Sequence, residues 1–302
     1  IQWCMFDYAT HEDFGSGDRI CYHGVMDSFR NPKTAAYLWA SQGDGDDVLA
    51  LTSSMDIGDY PGGVLSDVYI LSNADEVKLF KNDQFVTSFS SSSFTSLPHG
   101  PILMNDTIGE LLETQEGFDK KEASLVRESL LAAAKYGFTN LPLRYLVKLG
   151  WCMLRYKLKY EDGVALYGKY VGNWGGEATK WKLVSYRNGE ERKTLVFSHS
   201  STLSLKTDIE EEILYEGDTY DQELVRVQVV DEFGNIASYA SLPLVVETSG
   251  PIELCSPKCM VTEGGMTGVI IRTTGEEGTA TLTLSNSQTG TKTIRFEVKR
   301  HA

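Results

Sequence analysis

Four carboxylates, two imidazoles and a phenol crowd the start of the chain: Asp7, Tyr8, His11, Glu12, Asp13, Asp18 and His23. They surround or follow the end of Ile1-Gln-Trp-Cys-Met-Phe6, an almost continuous apolar run of the kind expected of a strand buried on both faces. Carboxyl groups can act as an acid–base pair, and the indole of Trp3 can stack on the apolar face of a ligand. The acids all sit on one loop, however, and one loop is a poor scaffold for the fixed geometry that paired carboxylates need. Each loop side chain can equally be a structural hydrogen-bonding partner, and Trp3 can fill an interior. Arg19 and Arg30 fit ion pairs that hold the loop in place.

These side chains need elements to position them. Asn31-Pro32 reads as N-cap and first helical residue of a helix through Thr34-Ala-Ala-Tyr-Leu-Trp-Ala40. Strand, long polar loop and helix make one βα unit, and one such unit cannot bury its own faces. The chain is therefore expected to start inside a fold whose remainder lies outside it.

The stretch Trp3 to Gln42 resembles the end of the catalytic (β/α)8 barrel in glycoside hydrolase family 2, the β-galactosidase and β-glucuronidase family. The resemblance is carried by Trp3-Cys-Met-Phe-Asp-Tyr8, Gly15-Ser-Gly-Asp-Arg19 and Tyr22-His-Gly-Val-Met-Asp27. It implies that Trp3 lines the sugar subsite where cleavage occurs, and it places Asp7, Tyr8, His11 and His23 on the loop at the active-site end. It also implies a retaining mechanism run by two glutamates on earlier barrel strands. Neither lies in this chain, so no catalytic residue is expected here and the chain alone is expected to be inactive. No cofactor is implied.

The net charge of −14, with no basic block, opposes binding to nucleic acid or to an anionic membrane and fits a neutral ligand. No apolar run approaches the ~20 residues of a membrane span. Five cysteines, an odd and sparse count, suit a reducing, cytoplasmic setting better than a disulfide framework, although secretion stays open. Cys255-Ser-Pro-Lys-Cys259 lacks the second Cys/His pair that a zinc site needs.

Beyond a polar, Gly-rich hinge at Ser41–Asp47, strands become short and frequent. Asn82-Asp83 and Arg187-Asn-Gly-Glu190 read as hairpin turns. Between them the rhythm turns helical. Asp119 and Glu122 open a helix with Ala123, Val126, Leu130, Ala133 and Ala134 on one face, and Gly137 closes it. Pro142 opens a second helix with Leu143, Leu146, Val147, Met153, Leu154 and Leu158 apolar; shorter ones are expected at 106–116 and 164–170.

The expected fold is mainly β with an α-helical insertion: immunoglobulin-like β-sandwiches following the last βα unit of a TIM barrel. Residues 1–46 would be that barrel unit, 47–201 a sandwich interrupted by helices at about 91–175, and 202–302 a terminal sandwich. Contiguous α and β domains are the alternative to an insertion. In function, the expectation is the non-catalytic C-terminal part of a β-galactosidase-like enzyme, partnered by its upstream barrel domain and a carbohydrate substrate. An exposed opening strand could also pair with another copy in a homo-oligomer. The competing classes are a carbohydrate-binding module with a Trp174/Trp181 platform, and a structural or oligomerisation segment.

Overall fold

The computed structural model describes residues 3–10, 19–55, 67–90, 96–137, 139–172 and 179–300. The protein is mainly β. It divides into two compact units, one made of residues 1–33 and 200–302, the other of residues 34–199. Among the described residues no helix is long and apolar enough to cross a membrane.

In the first unit, strands alternate inward apolar and outward polar side chains, as the two-residue period of a half-buried strand requires. Gln222–Asp231 turns Val225, Val227 and Val229 fully inward. It pairs with Leu203–Asp208 on one side and Met266–Thr273 on the other, and Ile252–Leu254 completes a four-stranded sheet. A five-stranded sheet runs Ile213–Glu216, Gly290–Arg300, Gly278–Asn286, Pro243–Ser249, Cys259–Val261. Its Leu244, Leu282, Leu284 and Phe296 meet the valines and Ile271 of the other sheet in one core, so the two sheets form a sandwich.

The second unit has a separate core. Its main sheet runs Gln84–Ser90, Glu76–Lys81, Trp181–Arg187, Glu190–Phe197. The two central strands are about a hundred positions apart in sequence yet pair antiparallel, with Leu79 opposite Leu183 and Lys81 opposite Trp181. Among the described residues between them lie the helices Leu111–Glu116, Lys120–Tyr136, Leu143–Tyr156 and Tyr160–Tyr167, the last running into a π-helical turn at Gly168–Gly172. A small sheet of Leu49–Leu51, Tyr69–Ser72 and Ile102–Leu103 completes the unit. The Gly-rich stretch before it is tied down rather than loose. Buried Asn73 accepts from the Val48 N–H and donates to the carbonyls of Gly43 and Asp46, each at 2.9 Å.

Three helices differ from their sequence patterns. The helix expected from 106 starts at Leu111, because the Asp106 carboxylate takes the N–H groups of Ile108 and Gly109 in a turn instead. The helix expected at 164–170 runs Tyr160–Tyr167, opened by the Asp162 carboxylate accepting from the Lys159 N–H. In Leu143–Tyr156 the expected apolar face points outward. Leu143, Leu146, Val147, Met153 and Leu154 are exposed, while Cys152 is buried and Tyr145, Leu149 and Tyr156 pack on the core. This helix is apolar on two sides, and its amphipathic period does not say which one is inside.

Lys81 pins the helical block to the sheet. Its buried Nζ donates to the carbonyls of Lys169 (3.0 Å) and Tyr170 (2.9 Å) in the π-helical turn and lies over the rings of Trp181 and Tyr170. The Tyr170 hydroxyl in turn donates to Glu116 at 2.6 Å, and Lys169 reaches the same carboxylate. Burial and the nearby Lys169 charge push the Lys81 amine down from 10.5 to about 8. Below about pH 8 both folded and unfolded chains hold this proton, so stability does not respond to it. Between about 8 and 10.5 the unfolded chain binds the proton and the folded chain does not, so stability rises with pH. Relative to Lys81→Met, the wild-type unit should gain up to about 3 kcal/mol across that window in urea melts. A difference that stays flat with pH would show the amine to be charged throughout.

Candidate functional site

The opening segment lies in the same unit as the 200–302 sandwich. Trp3 to Phe6 is not a continuous buried strand: Trp3 is 74% exposed and Met5 60%, and among the described residues of the segment pairing is seen at Tyr8–Ala9 against Ile20–Cys21 and at a parallel bridge between Phe6 and Met26. Burial on both faces requires layers packed on both faces of a sheet, and periodicity alone does not supply them. Ile1 and Gln2 lie outside the described residues.

What holds the segment is a knot around Asp7. Residues 4–7 run beside 24–26, with Met26 N–H donating to the Met5 carbonyl (2.9 Å) and Asp7 N–H to that of Met26 (3.0 Å). The approach is so close that a Cβ on Gly24 would fall 2.3 Å from the Asp7 nitrogen, so only glycine fits. The Asp7 side chain, 3% exposed, accepts through Oδ1 from the Gly24 N–H (2.9 Å) and from Lys33 Nζ (2.7 Å). Lys33 also donates to the Tyr22 carbonyl. Asp7 thus spends its accessible geometry on positioning the loop.

A second carboxylate organises the turn that follows. Asp27 Oδ1 accepts from the N–H groups of Phe29 and Asn31, and its Oδ2 from the Asn31 amide at 2.9 Å. Arg30 takes a positive φ of 65° there and lies over the Phe6 ring, 5.4 Å from its centroid, with no ion pair among the described residues. Asn31 is fully buried and donates to the Thr267 carbonyl of the sandwich (2.9 Å), while Phe29 fills the space that any side chain at Gly268 would need. Asn31 is therefore not the helix cap its sequence position suggested. The helix starts at Thr34, and the amide is committed to Asp27 and the sandwich strand.

Of the other predicted site residues, Tyr8 and His23 come together. Their rings meet edge-on with centroids 5.7 Å apart, and Tyr8 Oη lies 3.5 Å from His23 Nε2. The Cys21 sulfur sits 3.3 Å from His23 Nδ1. Hydrogen bonding with Cys21, then desolvation, raises the Tyr8 pKa above its ordinary value. His11, Glu12, Asp13 and Asp18 lie outside the described residues, as does Trp174; Trp181, its proposed platform mate, is buried in the core. Among the described residues no group of three or more His, Cys, Asp or Glu is placed to hold a metal, and Cys255 and Cys259 are free. Sequence reasoning missed Gly24, Lys33 and the Asn31–Thr267 contact. The one usable signal was a lysine following the Asp7 loop at the point where the chain must return.

The arrangement is a hydrogen-bonded platform that presents an indole, an imidazole and a phenol; its one buried polar atom without a partner among the described residues there is Asn31 Oδ1. Solved structures share this fold. A β-glycosidase from Bacteroides vulgatus superposes with a TM-score of 0.60 at 16% identity, over 97% of this chain and 30% of that one. A β-glucuronidase from glycoside hydrolase family 2 gives 0.53 at 17% identity, over 94% and 23%. No family model matches. Among curated proteins, β-galactosidases of Thermoanaerobacterium thermosulfurigenes and Thermoanaerobacter pseudethanolicus are 27% and 29% identical over 88% and 91% of this chain. A β-galactosidase of Rhizobium radiobacter is 31% identical over 42% of this chain and 92% of its own length. The chain belongs to glycoside hydrolase family 2, in its β-galactosidase-like branch, and corresponds to a C-terminal portion of such enzymes. It spans about 30% of the length of the first two β-galactosidases.

The knot makes an ordered prediction. Lys33→Met leaves the buried Asp7 charge without its cation and should cost about 3 kcal/mol or more in denaturant unfolding. Asp7→Asn keeps an acceptor for the Gly24 N–H and removes the charge, so it should cost less. The reverse order would mean that the ion pair does not hold the loop.

Proposed function

We propose that this chain is the non-catalytic C-terminal part of a retaining, β-galactosidase-like glycosidase, in which residues 1–46 complete the (β/α)8 barrel. The observation that carries this reading is Trp3, a large indole 74% exposed at the end of a segment otherwise locked by buried hydrogen bonds. Barrel neighbours would cover Met5 and Phe6 and leave the Trp3 face towards a sugar. The family resemblance of the segment and the names of the β-galactosidase relatives support the same assignment.

Hydrolysis with retention needs two carboxyl groups about 5–5.5 Å apart, one protonated to assist the leaving oxygen and one charged to attack the anomeric carbon. In this proposal both are glutamates contributed by other barrel strands. The chain's own part is to orient the substrate. Trp3 stacks on the apolar face of the sugar, and Tyr8, His23 and His11 stand on the rim as hydrogen-bonding groups. Asp7 acts from behind, through Lys33 and Gly24, by fixing where that rim lies. Stacking that is better satisfied as the ring flattens towards the transition state lowers the barrier rather than only tightening binding.

Two measurements test it. The 302-residue chain assayed alone against aryl β-galactoside, β-glucoside and β-glucuronide should match buffer; turnover that survives contaminant controls would overturn the assignment. In a protein that joins this chain to its barrel, Trp3→Ala should lower kcat/KM ten-fold or more, about 1.4 kcal/mol of lost transition-state binding. Unchanged kcat/KM with an unchanged thermal melt would reduce Trp3 to a filler.

A further inference from the structure

The second unit carries a cavity of about 370 Å³ between the start of the helical block and the small sheet, within the ~300–1,000 Å³ range of small-molecule sites. Tyr136, at the end of helix Lys120–Tyr136, and Tyr145, in helix Leu143–Tyr156, line it with ring centroids 6.4 Å apart. The charges around it are mostly matched. Lys135 pairs with Asp67 at 2.5 Å, and Lys148 pairs with Glu128.

Arg144 is the exception. Its guanidinium lies over the Tyr145 ring, 4.7 Å from the centroid, and donates to the Tyr145 hydroxyl at 3.0 Å, but among the described residues it has no carboxylate partner. The ring contact and the bond to the hydroxyl hold the guanidinium beside Tyr145 and use one of its donors, leaving the others available among the described residues. A planar guanidinium held this way matches a carboxylate bidentately. The wall is apolar at Leu103, Met104, Leu131, Ala132 and Ala134, while Asn105, Asp67 and Glu128 offer acceptors and Tyr136, 37% exposed with the Lys135 ammonium 5.8 Å from its ring centroid, offers the uncovered part of its ring and a hydroxyl.

The geometry points to a binding site for a carboxylate-bearing sugar, a uronic acid residue, distinct from the loop that carries Trp3. One carboxylate meets Arg144, the ring's apolar face rests on Tyr136, and the hydroxyls reach the oxygens of the paired carboxylates. A simple anion would satisfy Arg144 and leave the tyrosine and acceptors unused; a neutral sugar would leave the fork unmatched. The site stands or falls separately from the glycosidase reading, because it is read by binding to the 302-residue chain without turnover.

The experiment titrates galacturonate, glucuronate, galactose and acetate into that chain, followed by calorimetry and protein NMR. At least one uronate should bind saturably in the millimolar range or tighter, with galactose and acetate weaker by about ten-fold or more. Arg144→Met and Tyr136→Ala, both at exposed positions and checked by thermal melt, should each weaken the uronate about ten-fold, with Arg144→Lys restoring only part. Absence of saturable uronate binding, equal binding of galactose or acetate, or wild-type affinity in Arg144→Met would each overturn the assignment.

Discussion

Everything in the second unit depends on one pairing, that of Glu76–Lys81 with Trp181–Arg187. The strands are separated by about a hundred residues, so the pairing closes a long loop whose entropy must be met before any contact rewards it. The helices between them reduce that cost, because each shortens the flexible path between the strand ends. Where the loop closes, Lys81 opposite Trp181 places a buried amine against the last turn of the helical block. Two carbonyls and two ring faces compensate its desolvation, and no hydrophobic residue could take the place of those donors without orphaning the carbonyls. The charge is costly to bury, which its lowered pKa records, yet it fixes where the helices end relative to the sheet. Specificity of this kind trades stability for a single register.

The first unit uses the same device in its opening segment. Asp7 and Asn31 are buried polar groups whose partners come from different parts of the chain: Gly24 and Lys33 for one, Asp27 and Thr267 for the other. An apolar packing of this segment would have tolerated small slips. Charge-assisted bonds at 2.7–2.9 Å do not, and the Gly24 contact leaves no room for a shifted backbone. The residues around Trp3 are thus referenced to the Met266–Thr273 strand of the sandwich through Asn31 and Phe29. A side chain meant to contact a ligand gains from such support, since a displacement near 1 Å is enough to spoil a binding geometry.

What the sequence made legible was whatever rests on local chemistry. Asp119 caps its helix by accepting from Lys121 and Glu122, and Gly137 ends it with a φ of 74°, because both roles need only neighbours in sequence. The turn at Asn82-Asp83 and that at Asn188-Gly189 carry the positive φ values that their residue types allow. Illegible was whatever needed a distant partner. Asn31 before Pro32 looks like a cap, and only Thr267, over two hundred residues away, shows that its amide is used elsewhere. Helix Leu143–Tyr156 has apolar residues on two faces, so its inward side is decided by the neighbours of Cys152 and not by periodicity. The apolar run before Asp7 reads as a buried strand, yet burial belongs to a sheet and not to a sequence.

The chemistry of Asp7 shows why a carboxylate in a suggestive place need not be a catalytic one. A nucleophile must reach its substrate, and the Asp7 side chain is 3% exposed with Oδ1 already accepting from the Gly24 N–H and from Lys33. The same burial and fixed donors suit it to anchoring, because an acceptor held by donors from two parts of the chain keeps its backbone in one position. Trp3 is the converse case. It makes no demand on the proton balance, and its exposed ring becomes useful only when the backbone behind it is fixed. Tying the carboxylate into the knot and leaving the indole outside it separates the group that positions the loop from the group that is exposed.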